Sequence, residues 1–461
     1  MKNKVLKIDI YQKKIKKFYN EKNEELFLNS IDEYWAYLNQ FRNLGIKKYD
    51  DTKLETLVKS FYKSKKPKLL NYKEKRNYNV GVILVNRNDT GGLSEFKRFY
   101  SNKISFKKKF FLCKALVLHE DIKFYKKTLH FQSGQKSLKK NFFVKSIKDL
   151  NNIEKKKIVK EWLKKNKIDF CISCHNPFSI AAMETSKLIS YGTISQDHHC
   201  FLPFPNIGNT SFFLCNDQIF KYQTKPKNFL VLRLAKFPKK IISRSIPFKK
   251  SSFGLKSKDI ISATTNLEKC LIAKNTVLLD LIAQLCRKNE NYKHLFIGTE
   301  RCKGFLDSYL KKNKDLINKI IYIGIVPDIF KILKIIDFYI NSFPISGGTS
   351  IEAAMIGKPS VDFIWHRDLS IHPVQFPINT NTSVYNEQDF IDICSKLIQS
   401  KKFRALQGKI SRNVVKNFPD NEQTFREICK NFLNTHNSNH VNISKKIEKI
   451  LNSEILNRIN L

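Results

Sequence analysis

The sequence predicts an α/β protein: two doubly wound, parallel-sheet domains preceded by a helical N-terminal extension. Three observations lead there. Short buried apolar runs alternate with segments whose apolar residues recur at helical spacing. A glycine-rich stretch, SGGTSIEAAMIGKP at 346–359, directly follows the apolar run 336–345. A chain of 461 residues, 42 % of them apolar, is long enough to fill the cores of two or three domains.

Residues 1–75 are polar, with Leu26, Phe27, Ile31, Tyr34 and Leu38 spaced as the apolar face of amphipathic helices, a small cap or extension. The pattern changes at Asn79. Residues 80–85 form a continuous apolar run of the kind buried on both faces of a sheet, followed by the loop NRNDTGG at 86–92 and a helix expected from about Leu93. This resembles the opening of a Rossmann-like domain. A second strand is expected at 168–173, and the loop behind it carries His175, Asn176 and Pro177. The polar, proline-containing stretch 223–227 reads as a hinge, so the first domain spans 76–222.

The second domain, 228–435, alternates most clearly. A strand at 259–263 precedes Val277, Leu278, Leu281, Ile282 and Leu285 at helical spacing. Strands follow at 292–298 and 319–324, then a short helix behind Pro327 and Asp328 carrying Ile329, Ile332, Leu333 and Ile336. Residues 338–341 lead into the glycine-rich stretch, and 360–364 is the next strand. Helical segments at 424–433 and 441–461 close the chain, with 436–461 as a tail.

In the glycine-rich stretch, Gly347 and Gly348 let a ligand approach the backbone closely, and Thr349 or Ser350 is expected to N-cap a helix. Ile351, Ala354 and Met355 give that helix an apolar face, and Gly357 and Pro359 stop it. Ligands of parallel sheets bind beyond the carboxyl ends of the strands, where this loop falls. Backbone amides, the helix dipole and two hydroxyls there suit a phosphate or diphosphate.

The net charge of +43 invites a nucleic-acid or membrane reading. Only 13 of the 84 basic residues are Arg, however, and nucleic-acid readers lean on Arg for bidentate contacts. The lysines are spread along the chain, denser at 103–109, 125–127, 154–157 and 238–250, so a generally basic, solvated surface is expected and no specific nucleic-acid partner. Weak attraction to acidic polymers or peripheral association with an anionic membrane is the corresponding alternative: a non-catalytic basic binding module. The N-terminus MKNKVLKIDIYQKKIKKFYN has no apolar signal core, and no run approaches the roughly 18 to 20 residues of a membrane span, so a cytoplasmic location is expected. The ten cysteines are scattered, as reduced, buried thiols would be.

The segment SSFGLKSKDIISATTNLEKC at 251–270, the strand-helix series after it and the SGGTS loop resemble the donor-binding half of GT-B nucleotide-sugar transferases. Within that superfamily the resemblance is to the protein O-linked N-acetylglucosamine transferase family and its bacterial relatives. YNVGVILVNRNDTGG at 78–92, IDFCISCHNPF at 168–178 and YGTISQDHHCF at 191–201 extend it into the first half. The resemblance covers about 78–435 and implies a GT-B fold, two Rossmann-like domains facing across a cleft. It implies transfer of a hexosyl or N-acetylhexosaminyl group from a UDP-sugar, with inversion favoured. The tetratricopeptide array that presents polypeptides in the namesake family is absent, so a glycan, a lipid-linked glycan and a polypeptide all stay open as acceptor.

Carried over residue by residue, Lys269 matches the lysine that approaches the donor diphosphate, a suitable charge for a leaving group whose charge grows as the glycosidic bond breaks. Gly347, Gly348, Thr349 and Ser350 match the diphosphate loop. Glu352 lies on the first helical turn, where a carboxylate serves either the dipole or a ribose contact. His366 and Arg367 end the next strand, Arg367 suiting a phosphate, a carboxylate or a surface ion pair. Neither metal nor cofactor is expected, because helix amides and Lys269 take the diphosphate and the nucleotide-sugar is a substrate.

The candidate catalytic bases are His175, His198 and His199. Relatives carry a His in the loop after the first strand, whereas this chain has Asn88, Asp89, Thr90, Gly91 and Gly92, leaving Asp89 or Glu95 as substitutes. Cys171, Cys174 and His175 also spell CxxCH, and with His198, His199 and Cys200 could make a zinc site. Buried thiols at a strand end are the plainer reading.

Overall fold

A computed structural model of the chain describes residues 2–40, 52–62, 75–86, 103–174, 176–186, 188–194, 208, 210–213, 229–231, 239–265, 267, 277–298, 300–343, 347–363 and 379–437. Three helices, Lys2–Asn20, Glu24–Gln40 and Thr52–Phe61, open the chain. They do not stand apart as a cap. Phe27, Ile31, Tyr34 and Trp35 are buried in one cluster with Val159, Trp162, Leu163 and Phe178, so the extension covers a face of the first domain.

The first sheet contains β1 (Asn77–Asn86), β2 (Lys103–Phe106), β3 (Lys109–His119), β4 (Phe142–Ser146), β5 (Phe170–Cys174), β6 (Ser190–Ile194), β7 (Thr210–Phe213) and β8 (Phe229–Val231). Its order is β2-β3-β1-β5-β6-β7-β8, with β4 beside β3, and every pairing is parallel except the β2–β3 hairpin. β1 shows why its sequence lacks alternation. Tyr78, Val80, Val82 and Leu84 face one core cluster while Ile83 and Val85 face another, so both sides are dry. Against the first side packs the last described helix, Asn421–Asn437, whose Phe432 stacks on Phe170 with ring centroids 5.0 Å apart. Arg426 donates to the Ser105 carbonyl at 2.8 Å, tying this helix to the first sheet.

The second sheet is wholly parallel: β9 (Ile260–Thr265), β10 (Tyr292–Ile297), β11 (Ile320–Gly324), β12 (Phe338–Ile340), β13 (Ser360–Phe363) and β14 (Ser383–Val384), ordered β11-β10-β9-β12-β13-β14. One face buries Phe296, Phe338, Ile340, Val361 and Phe363 under the helices Val277–Lys288 and Glu387–Gln399. The other joins the core that also holds the β1 residues, and the Leu129 N–H donates to the Pro327 carbonyl at 3.2 Å, so the two halves touch. The helices expected near Leu93 and at 441–461, and the hinge at 223–227, lie outside the described residues.

Candidate functional site

In both sheets the chain winds outward from one central strand and then back past it, so two crossovers leave in opposite directions. In the second sheet this switch lies between β9 and β12, and in open α/β sheets it is beyond the carboxyl ends of the strands at such a point that a ligand crevice forms. The segment after β9 contains Lys269; the segment after β12 is the SGGTS loop. The glycine-rich loop therefore sits at the position where open α/β sheets take their ligands.

Two buried polar networks hold that position. Asn341, just past β12, accepts the Gly347 N–H on Oδ1 at 2.9 Å and donates through Nδ2 to the Asp362 carboxylate at 2.7 Å. Ser360 donates to the other Asp362 oxygen at 3.3 Å. Asp362 and Asn341 are buried, so the carboxylate is shielded from solvent and orients the amide that pins the loop. Across the switch point, the Tyr339 hydroxyl lies 2.7 Å from Thr265 Oγ1 and accepts the Thr265 N–H at 3.4 Å. Thr265 Oγ1 in turn donates to Thr349 Oγ1 at 3.1 Å. Burial pushes the Tyr339 phenol up to about 12, against the opposing pull of the Thr265 and Thr349 hydroxyls.

The helix Thr349–Met355 begins differently from the expectation. Its N-cap is Gly348, with φ −69°, and no side chain caps it. Ser350 is turned inward and donates to the Gly347 carbonyl at 3.2 Å, and Thr349 is engaged by Thr265, so neither hydroxyl closes the helix start. Among the described residues, a Cβ built on Gly348 would meet no heavy atom within 4 Å, so they leave open the space beside this backbone. The other end matches the expectation. Gly357 has φ +78°, its N–H reaches the Ala354 carbonyl, and the Lys358 N–H reaches the Ala353 carbonyl, a left-handed stop that only glycine takes without strain.

Of the residues proposed from sequence, Gly347, Gly348, Thr349 and Ser350 stand together at the switch point, Gly347 with its amide already spent on Asn341. Glu352 lies on the first turn and is buried. Lys269, His175, His198, His199, His366, Arg367, Asp89 and Glu95 lie outside the described residues. Asn176, next to His175, caps the helix Pro177–Glu184 by accepting the Ser179 N–H at 2.9 Å. Cys171 is a buried thiol on β5, pushed up by burial, as the plainer reading of CxxCH expects. Among the described residues no cluster of His, Cys, Asp and Glu could hold a metal ion, and no helix is long and apolar enough to cross a membrane. Sequence reasoning missed Thr265, Tyr339, Asn341 and Asp362. Asp362 did leave a signal: a carboxylate between Val361 and Phe363 in a short buried strand is costly unless it is bound to something.

No protein-family profile and no curated protein matches this sequence. Solved structures do match in shape. A glycosyltransferase from Rickettsia africae superposes with a TM-score of 0.53 at 13 % identity, over 77 % of this chain and 98 % of its own. Anabaena Alr3699/HepE, solved in complex with UDP-glucose, gives 0.55 at 12 % identity over 76 % and 98 %. An O-GlcNAc transferase variant from Thermobaculum terrenum gives 0.50 at 11 % identity, over 90 % of this chain and 81 % of its own. At such identities the likeness concerns the fold, and with two switch-point sheets in one chain the fold is GT-B.

Proposed function

We propose that this chain is a glycosyltransferase that moves a hexosyl or N-acetylhexosaminyl group from a UDP-sugar to an acceptor held by the first domain. One observation carries the reading: the helix start at the second sheet's switch point is uncapped and faces open space at Gly348. The first backbone amides of a helix have no partner within the helix, and such a place favours an anion. The binding of UDP-glucose by Alr3699/HepE, which shares the fold, supports a nucleoside diphosphate as that anion. In this scheme Gly348 and Thr349 meet the diphosphate and Lys269 neutralises it as it departs. Direct displacement with inversion then needs a base near the acceptor, supplied by His175, His198 or His199.

The test is thermal stabilisation of the purified protein by a panel of nucleotides and nucleotide-sugars at moderate salt. A ligand at 100 times its Kd adds about 2.7 kcal/mol. UDP and a UDP-sugar are expected to stabilise the parent protein. Gly348→Asp is expected to lose that response, since a carboxylate about 4 Å from a phosphate costs about 4 kcal/mol at an effective dielectric of about 20. Its unliganded melting temperature should stay at the parent value, because the new side chain enters open space at an ordinary φ. A folded parent that no nucleotide stabilises would overturn the reading and return weight to a basic binding module.

A further inference from the structure

We propose that Tyr339 and Thr265 are positioning residues that aim the hydroxyl proton of Thr349 at the donor phosphate, an inference that rests on the donor-site reading above. Each hydroxyl has one proton to give and two lone pairs with which to receive. The Thr265 N–H occupies one lone pair of the Tyr339 oxygen, and Thr265 Oγ1 stands 2.7 Å from the same oxygen. Thr265 Oγ1 spends its single proton on Thr349 Oγ1 at 3.1 Å. The short contact to Tyr339 therefore has to use the phenol's proton. Tyr339 is fully buried and keeps that proton throughout the physiological range. The donation that fits these three contacts runs Tyr339 to Thr265 to Thr349.

Thr349 thus receives a hydrogen bond from inside the protein and keeps its own proton for the outside. It is half-exposed beside Gly348, where the backbone borders open space. A phosphate oxygen accepts hydrogen bonds and gives none, so a hydroxyl already committed as a donor is the matching group. The relay also spans the switch point, joining the end of β9 to the residue that opens the helix after β12. Without the phenol, Thr265 and Thr349 are free to exchange roles, and the Thr349 proton can turn inward.

A double-mutant cycle with UDP as the probe tests this by calorimetry. Thr349→Ala should weaken UDP binding about 10-fold and Tyr339→Phe about 5-fold, the scale of one hydrogen bond to a charged and a neutral partner respectively. The double variant should bind no more weakly than Thr349→Ala alone, because the phenol acts only through that hydroxyl. A merely structural phenol would lower the melting temperature and give a loss that multiplies with Thr349→Ala, to about 50-fold. Multiplying losses, or a Tyr339→Phe protein with the parent's affinity, would overturn the proposal while leaving the donor site intact. A parent that fails to bind any nucleoside diphosphate removes the donor site and this proposal together. Should Tyr339→Phe fold poorly, Thr265→Val breaks the same relay with a side chain of the same shape, and the same non-additivity is expected.

Discussion

At the first sheet's switch point, between β1 and β5, the helix Pro177–Glu184 starts with every device that closes a helix end. Asn176 accepts the Ser179 N–H, Pro177 at the first position has no N–H to leave over, and residues 177–183 are buried. At the second sheet's switch point, between β9 and β12, the helix Thr349–Met355 has a glycine for a cap, so its cap residue gives no side-chain bond, and among the described residues the space beside that glycine is open. The strand orders are equivalent: each sheet runs third, second, first, fourth, fifth from its β-α series, apart from the added β2. Topology places a crevice at both sites. What separates them is whether the chain satisfies its own helix start, so the open one is the place where a ligand's oxygens have something to do.

An open helix start still has to be held rigidly, and packing from behind does this. The helix Lys401–Lys416 crosses so close that a Cβ on Gly408 would lie 2.0 Å from the Gly357 carbonyl oxygen and 3.4 Å from Pro359 Cδ. Gly408→Ala gives the largest expected effect on stability, about 3 kcal/mol by urea denaturation, because backbone rather than a yielding side chain stands in the way. UDP affinity should fall with it as the loop shifts. Gly348→Ala, at the other end of the helix that Gly357 stops, should leave the urea midpoint within about 0.5 kcal/mol of the parent. If Gly408→Ala unfolds at the parent's midpoint, the close crossing is wrong, and with it the claim that the open site is braced.

The second domain was the more legible half, for a physical reason. Strands β9 to β13 are short, mostly apolar segments alternating with segments at helical spacing, so periodicity and turn residues suffice. The β2–β3 hairpin gave no such sign: its turn residues are Lys107 and Lys108, at φ 48° and 59°, where glycine or asparagine would have marked it. The helix Asn421–Asn437 was legible as a helix, but periodicity reveals a face and not the partner, here Phe170 some 260 positions upstream. The glycine pair announced the loop. Its anchors did not announce themselves, because Asn341 and Asp362 are 21 positions apart and only the parallel pairing of β12 with β13 brings them together. The N-cap expectation failed for a related reason: Thr349 is claimed by Thr265, a strand end 84 positions away.

Acid acts on the core of the second half through a buried ring. In the second sheet His294 is fully buried on β10, its Nδ1 2.6 Å from Ser262 Oγ, and its pKa is lowered to about 3 by burial. The sign follows from the unfolded value of 6.5. Above pH 6.5 the ring is neutral in both states and contributes no pH dependence. As pH falls through 6.5 the unfolded chain takes up the proton and the folded one does not, so stability declines by about 1.4 kcal/mol per pH unit. Between pH 6.5 and 5 the loss is about 2 kcal/mol. Comparing urea midpoints at pH 7 and 5 for the parent and His294→Gln isolates this ring, since carboxylates common to both cancel. An equal acid loss in the two proteins would show that the ring is not held neutral in the folded second domain.

The smallest expected effect bears most directly on the contrast between the two helix starts. Asn176→Ala removes a side-chain cap and should cost about 1 kcal/mol of stability, the ordinary value for such a cap. It should leave UDP affinity unchanged, because that helix start is already satisfied by its own protein and takes no part in the proposed donor site. Calorimetric titration of UDP into Asn176→Ala reads this without interference from the modest loss of stability. A drop in affinity comparable to that of Thr349→Ala would mean that the capped start also shapes the donor site. The distinction between a closed and an open switch point would then be one of degree. Unchanged affinity at lowered stability is the outcome that a division of labour requires: one helix start spends its polar groups on the fold, and the other keeps them for a ligand.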